Sequence, residues 1–176
     1  MASSNPSFFA PFKGRYVTVY TSSGQWLSSD SGRALLAKDL TEMGKFPFET
    51  SLKQDRYTQD LSYLTIIKMN SIAHQVLMTY DRDHPDFEMQ VTILSPTLDM
   101  GRMLGHSYGQ NKPCYIESWS RKFRAIHVAM QVTSWLDDYY KGTYCSGFSD
   151  SGFIRNTDSF LDRMQGRISH YYERRY

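Results

Sequence analysis

Hydrophobic and polar positions alternate most cleanly from Phe123 to Leu136. Ile126, Val128, Met130 and Val132 fall on one parity, and His127, Gln131 and Thr133 on the other. Alternation rich in β-branched residues is what a strand with one buried face requires, and it predicts a strand in the middle of a sheet. Tyr16–Tyr20 (Tyr-Val-Thr-Val-Tyr) and Leu61–Met69 read as further strands. Val76–Tyr80 and Phe87–Leu94 flank the turn-rich run from Asp81 to Asp86, which predicts a hairpin with a longish loop. Ile72, Val76 and Tyr80 also suit helical spacing, and Tyr115–Trp119 reads as a short strand.

Two segments change period. Ser28 to Ser31 offer N-caps, after which Leu36, Leu40 and Met43 recur at helical spacing up to Gly44, a C′ candidate. This predicts a helix over 32–43, stopped by Pro47. Thr157 or Asp158 caps a second helix near 158–174, with Phe160, Met164 and Ile168 on one face. Residues 53–60 read as a polar loop. Between Ser95 and Pro113 the pattern dissolves into a long loop with Gly101, Gly105 and Gly109 evenly spaced. The fold expected is α+β: a single domain, mainly antiparallel sheet, packed by these two helices.

Residues 1–14 read as an extended N-terminal arm preceding a domain over 15–176. Pro6 and Pro11 lack the amide proton that regular structure uses, yet Phe8, Phe9 and Phe12 are costly to leave in water. The arm therefore docks into a groove on a neighbouring copy or folds onto its own core. In the first case Phe8, Phe9, Pro11 and Phe12 carry self-association.

Composition fits one domain with a core of its own. Aromatic residues make up 15% of the 176 and methionines number nine, enough to line a sheet and to leave some for surfaces that meet partners. Residues 1–100 carry 9 Lys/Arg against 11 Asp/Glu, and residues 101–176 carry 11 against 7. The mildly basic second half suits weak attraction to acidic headgroups or RNA. Cys114 and Cys145 are too few for a disulfide framework or a zinc site and fit a reducing compartment. No signal peptide or spanning apolar run is visible, so a soluble or peripheral protein is expected.

Chemistry is sparse. His84 lies between Asp83 and Asp86, but in a proline-containing turn the expectation is solvated turn chemistry. His127, on the outer parity of its strand, is expected to be a hydrogen-bonded sheet residue. Asp137-Asp138 lacks further oxygen ligands for a metal, and the glycine loop lacks the Gly-Lys-Ser/Thr ending of a phosphate loop. Cys145 has no neighbouring base. No catalytic residue, metal or cofactor is assigned, and no small-molecule substrate is expected. Two surfaces suggest contact work instead. Arg102, Met103 and Leu104, with Lys112 nearby, form an apolar tip with flanking cations suited to a bilayer interface. Arg163, Arg167, Arg174 and Arg175 lie off the apolar stripe of the last helix and suit an anionic surface or a nucleocapsid.

The order of strand, Ser/Gly-rich turn, short helix and then Gly44-Lys45-Phe46-Pro47-Phe48, over residues 15–48, resembles the opening of the core domain in rhabdovirus matrix proteins. The resemblance implies a non-enzymatic protein that self-associates, binds and condenses the viral nucleocapsid protein–RNA complex, and links it to the anionic inner leaflet during assembly and budding. It implies a place in the virion beneath the envelope, and in host cytoplasm and at membranes. By position and character, Phe8–Phe12 would be the segment docking onto the next subunit and Met103-Leu104 the membrane-contacting loop. The chain has no lysine-rich N-terminus and no Pro-Pro-x-Tyr or Pro-Thr/Ser-Ala-Pro motif, and its length is nearer that of the plant-infecting relatives. The alternatives are a small β-rich module or effector holding an apolar ligand or protein partner, and an enzyme with an α+β pocket.

Overall fold

A computed structural model describes residues 6–99, 107–116 and 118–141. It shows an α+β domain with a four-stranded antiparallel sheet, two helices and two small hairpins. The main sheet is a meander of β3 (Glu49–Gln54), β4 (Leu61–Met69), β5 (Ile72–Thr79) and β6 (Gln90–Ser95). Period-2 patterning places one buried row across all four strands. Thr50 pairs with Thr65 and Thr65 with Val76; Tyr63 pairs with Met78 and Met78 with Val91. The opposite row carries Ser51, Leu64, Leu77 and Thr92, half-buried except that Leu94 beside them is exposed.

The 72–80 stretch, which suited either period, is a strand. It pairs with β4 along its whole length through a tight turn in which Asn70 and Ser71 both take positive φ. Strand β3 takes in Lys53 and Gln54, the first two residues of the expected 53–60 loop; Glu49-Thr-Ser-Leu-Lys-Gln alternates too weakly to announce a strand, and pairing with β4 supplies what its own pattern lacks.

The expected central strand at 123–136 is instead the helix α2, Ala125–Lys141. Every residue from Ala125 to Thr133 is buried, so no polar face marks the helical period. Ala125, Ala129, Val132 and Leu136, spaced 4, 3 and 4, form one of its core-facing rows. Burial all round overrides the β preference of Ile126, Val128 and Val132. Tyr115–Trp119 is likewise not a strand: β7 (Ser107–Gly109) and β8 (Lys112–Pro113) form a separate small hairpin before it.

Helix α1 runs Asp30–Gly44, within two residues of expectation. Ser29 caps it, its Oγ accepting from the Gly32 amide at 3.0 Å. Gly44 is its last helical residue, and Lys45 follows in the right-handed region, so no left-handed glycine cap forms. Leu36, Leu40 and Met43 are buried with Phe46 and Phe48. α1 and α2 meet where Arg124 Nε donates to Glu42 Oε2 at 2.7 Å, an ion pair largely shielded from solvent.

Residues 1–14 are not a free arm where described. Strand β1 (Ser7–Phe12) pairs antiparallel with β2 (Arg15–Tyr20) through a turn in which Lys13 and Gly14 both have positive φ. Phe12 is buried, 6.2 Å from the Tyr63 ring, and Ala10 and Val19 are buried with it. Pro11 is tolerated because this is a two-stranded ribbon with an open edge. The C-terminal helix expected near 158–174 lies outside the described residues.

Candidate interaction surface

The β1–β2 ribbon divides its side chains by parity. Phe8, Ala10, Phe12, Val17 and Val19 face the core, with Phe8 also lying 4.9 Å from the Arg33 guanidinium. Phe9, Pro11, Tyr16 and Tyr20 face out. Register places Pro11 opposite Tyr16 and Phe9 opposite Thr18, which makes Phe9 a diagonal neighbour of both tyrosines. Phe9 is 75% and Tyr16 78% exposed. The four self-association candidates are thus split, Phe9 and Pro11 presented to solvent and Phe8 and Phe12 withdrawn into the domain. Outward aromatics on a ribbon were legible only through the alternation of Ser7–Phe12, which the two prolines disguised.

The ribbon is tied down at its open end. Gln54 Oε1 accepts from the Tyr20 amide at 3.1 Å, while Gln54 Nε2 donates to the carbonyls of Tyr20 and Gln59 and to Ser23 Oγ. One side chain thereby fastens the end of β2 to the end of β3. Thr21 closes the same open end of the ribbon, its amide and hydroxyl both donating to the Pro6 carbonyl.

A second feature lies at the opposite edge of the sheet. A groove of about 220 Å³ runs beside β6, lined by Glu88, Met89, Val91, Tyr108, Lys112 and Tyr115. Tyr115 Oη donates to the Met89 carbonyl at 2.6 Å and fixes its floor. Burial raises the Glu88 carboxyl above its ordinary value. Lys112, expected at a membrane, is exposed on β8 at the rim of this groove. Arg102, Met103 and Leu104 lie outside the described residues, as do Arg163, Arg167, Arg174 and Arg175.

The histidines depart from expectation. His84 is buried rather than solvated: its ring lies 4.8 Å from Tyr80, 4.9 Å from Trp26 and 6.3 Å from Trp119. Neither ring nitrogen has a hydrogen-bond partner. His127 is buried in α2, where its Nδ1 accepts from the Arg124 amide at 3.0 Å. That role also comes from the helical reading of the segment. Burial pushes both imidazoles down to about 4, with Arg124 and Lys38 adding to the effect at His127. His74 Nδ1 donates to the Ile67 carbonyl, leaving Nε2 to accept from Tyr140 Oη at 2.6 Å. Burial lowers it as well. These three side chains join elements of the fold; among the described residues no group of three or more His, Cys, Asp or Glu is placed to hold a metal.

Among the described residues no helix is long and apolar enough to cross a membrane. Neither protein-family models, curated proteins nor solved structures yield a match to this chain.

Proposed function

We propose that this protein is a non-enzymatic, self-associating structural adaptor of the viral matrix type. In this reading it joins copies of itself through the outer face of the β1–β2 ribbon, condenses a nucleocapsid, and bridges it to the anionic inner leaflet of an envelope. The observation that carries the self-association is the outward row of Phe9, Pro11, Tyr16 and Tyr20 on a ribbon tied down at its open end. An aromatic side chain buries about 150–250 Å². Phe9 and Tyr16, each about three-quarters exposed, therefore offer on the order of 300 Å², well short of the roughly 800 Å² per partner of a stable interface. A face of that size supports weak, concentration-dependent association of many copies rather than a permanent dimer. The viral assignment rests on the resemblance over residues 15–48, and the nucleocapsid and membrane contacts are its implications.

The test combines light scattering across a concentration series with flotation on phosphatidylserine-containing liposomes. The wild type is expected to grow in mass with concentration and to float, and Phe9→Ser/Tyr16→Ser to stay smaller with unchanged circular dichroism. A strictly monomeric wild type at high concentration that ignores anionic liposomes would sink the reading. The groove beside β6 favours a second reading, a small binding module. Its 220 Å³ falls below the roughly 300–1,000 Å³ of pockets that enclose drug-sized ligands, which ranks it behind self-association.

A further inference from the structure

The imidazole of His84 plugs a seam between three parts of the chain. Trp26 comes from the 3₁₀ turn Gln25–Ser28, Tyr80 follows β5, and Trp119 lies in the stretch before α2. The segment 81–88 that carries His84 is held to these parts by few bonds. Trp119 Nε1 donates to the Pro85 carbonyl at 2.8 Å, Arg121 pairs with Asp86 at 2.7 Å in full view of solvent, and Arg82 Nη2 donates to the Thr58 carbonyl. A neutral imidazole tolerates an aromatic box. An imidazolium has two N–H donors that require acceptors, and here neither nitrogen has one.

We propose that His84 is an acid-operated latch: protonation drives its ring out of the box of Trp26, Tyr80 and Trp119 and releases segment 81–88 while the four-stranded sheet stays folded. The charged groups around it fit this assignment. On its own segment Asp81 and Asp86 favour the charged ring, but burial outweighs them and holds His84 at about 4. Asp83 is exposed, its backbone carbonyl accepting from the Asp86 amide, and Arg82 is drawn toward Asp60. On the stretch before α2, Arg121 is paired with Asp86. The 3₁₀ turn presents Trp26, whose Nε1 is a donor and therefore no acceptor for the ring. The residue after β5 is Tyr80, whose hydroxyl is committed to Asp39 of α1 and to Tyr63.

The sign follows from linkage. The closed ring has a depressed pKa, so closure is fully favoured above about 6.5 and is lost as the pH falls toward 4. Between pH 7.5 and 4 the opening equilibrium rises about 150-fold. Amide hydrogen exchange of the full chain between pH 7.5 and 4, corrected for intrinsic rates, reads this directly. Amides of 81–88 are expected to open more readily than those of Leu61–Met69 at every pH, with an opening constant that climbs about 150-fold and is flat in His84→Gln. In His127→Gln the climb is expected to remain. Equal opening constants in segment and sheet, or an undiminished climb in His84→Gln, overturns the latch. Should His84→Gln fail to fold, the His84 Cε1–Hε1 NMR resonance of the wild type decides. A pKa near 4 with segment amides opening ahead of the sheet supports the proposal, and a pKa near 6.5 overturns it.

Discussion

Tyr80 Oη donates to Asp39 Oδ2 at 2.6 Å in the interior, and Tyr63 Oη meets Tyr80 Oη at 2.9 Å behind it. Asp39 belongs to α1 and Tyr80 follows β5, so this phenol–carboxyl contact fixes helix to sheet. Burial raises the Asp39 carboxyl to about 7, against the opposing pull of Tyr80 and of the Ala125 amide at the start of α2.

Stability should accordingly peak near pH 6.5. The folded Asp39 keeps its proton where the unfolded chain releases it, so its contribution is complete below pH 3.8 and lost as the pH rises through 7. His84 and His127, held near 4, act in the other direction: their contribution is present above about 6.5 and lost as the pH falls toward 4. Two histidines outweigh one aspartate between 4 and 6.5, leaving only a decline from 6.5 to 7. Urea unfolding at a series of pH values is expected to trace this maximum, and Asp39→Asn to abolish the alkaline decline.

The two faces of the ribbon separate stability from association. Phe12→Ala is expected to cost about 3–5 kcal/mol in denaturant unfolding, because it empties a buried site beside Tyr63. Phe9→Ala should change stability by no more than about 0.5 kcal/mol, yet reduce the mass seen by sedimentation at high concentration.

Glycines 32 and 44 lie in one helix and should respond oppositely to alanine. A Cβ at Gly32 would stand 1.6 Å from the Trp26 carbonyl oxygen, so Gly32→Ala must push α1 away from the turn that carries Trp26. Its cost should reach or exceed the roughly 1–3 kcal/mol of ordinary overpacking. A Cβ at Gly44 meets nothing within 4 Å, and Gly44→Ala should stabilise by up to about 1 kcal/mol. Thermal unfolding of both variants checks the pair.

Asn111 anchors the β7–β8 hairpin. Its Nδ2 donates to the carbonyls of Ile93 and Pro96, its Oδ1 accepts from the Leu98 amide, and its own carbonyl accepts from the Ile93 amide. Asn111→Ala leaves buried groups without partners, each costing about 1–3 kcal/mol, and forces alanine into a left-handed backbone at φ 56°. Loss of exchange protection at Ile93 and Leu98 ahead of β4 would register it.

Where one face of an element meets water, the sequence disclosed it. β2 and α1 match expectation within one or two residues because Tyr16–Tyr20 and Leu36/Leu40/Met43 each set buried positions against polar ones, and β4, nearly all buried, matches Leu61–Met69 through its density of apolar residues between polar turns. α2 was misread for the opposite reason, since His127, Gln131 and Thr133 are buried alongside their apolar neighbours. The outward row on the ribbon was half legible. Phe9 and Pro11 were singled out, but Tyr16 and Tyr20 appear beside them only once Pro11 pairs with Tyr16. The aromatic box around His84 joins residues 26, 80, 84 and 119, and no local pattern brings these together.

The burial of α2 has a consequence for the order in which the chain acquires its structure. The ribosome delivers β1 through β8 and α1 first, and the part of the sheet that α2 covers stays open until residues 125–141 emerge. A nascent chain stalled before α2 lacks the helix that packs against β4 and β5, and is expected to expose the part of their buried row that α2 covers. Completion of the core therefore waits for α2, and a chain cut ahead of it should be a substrate for chaperones and proteases rather than a smaller working domain.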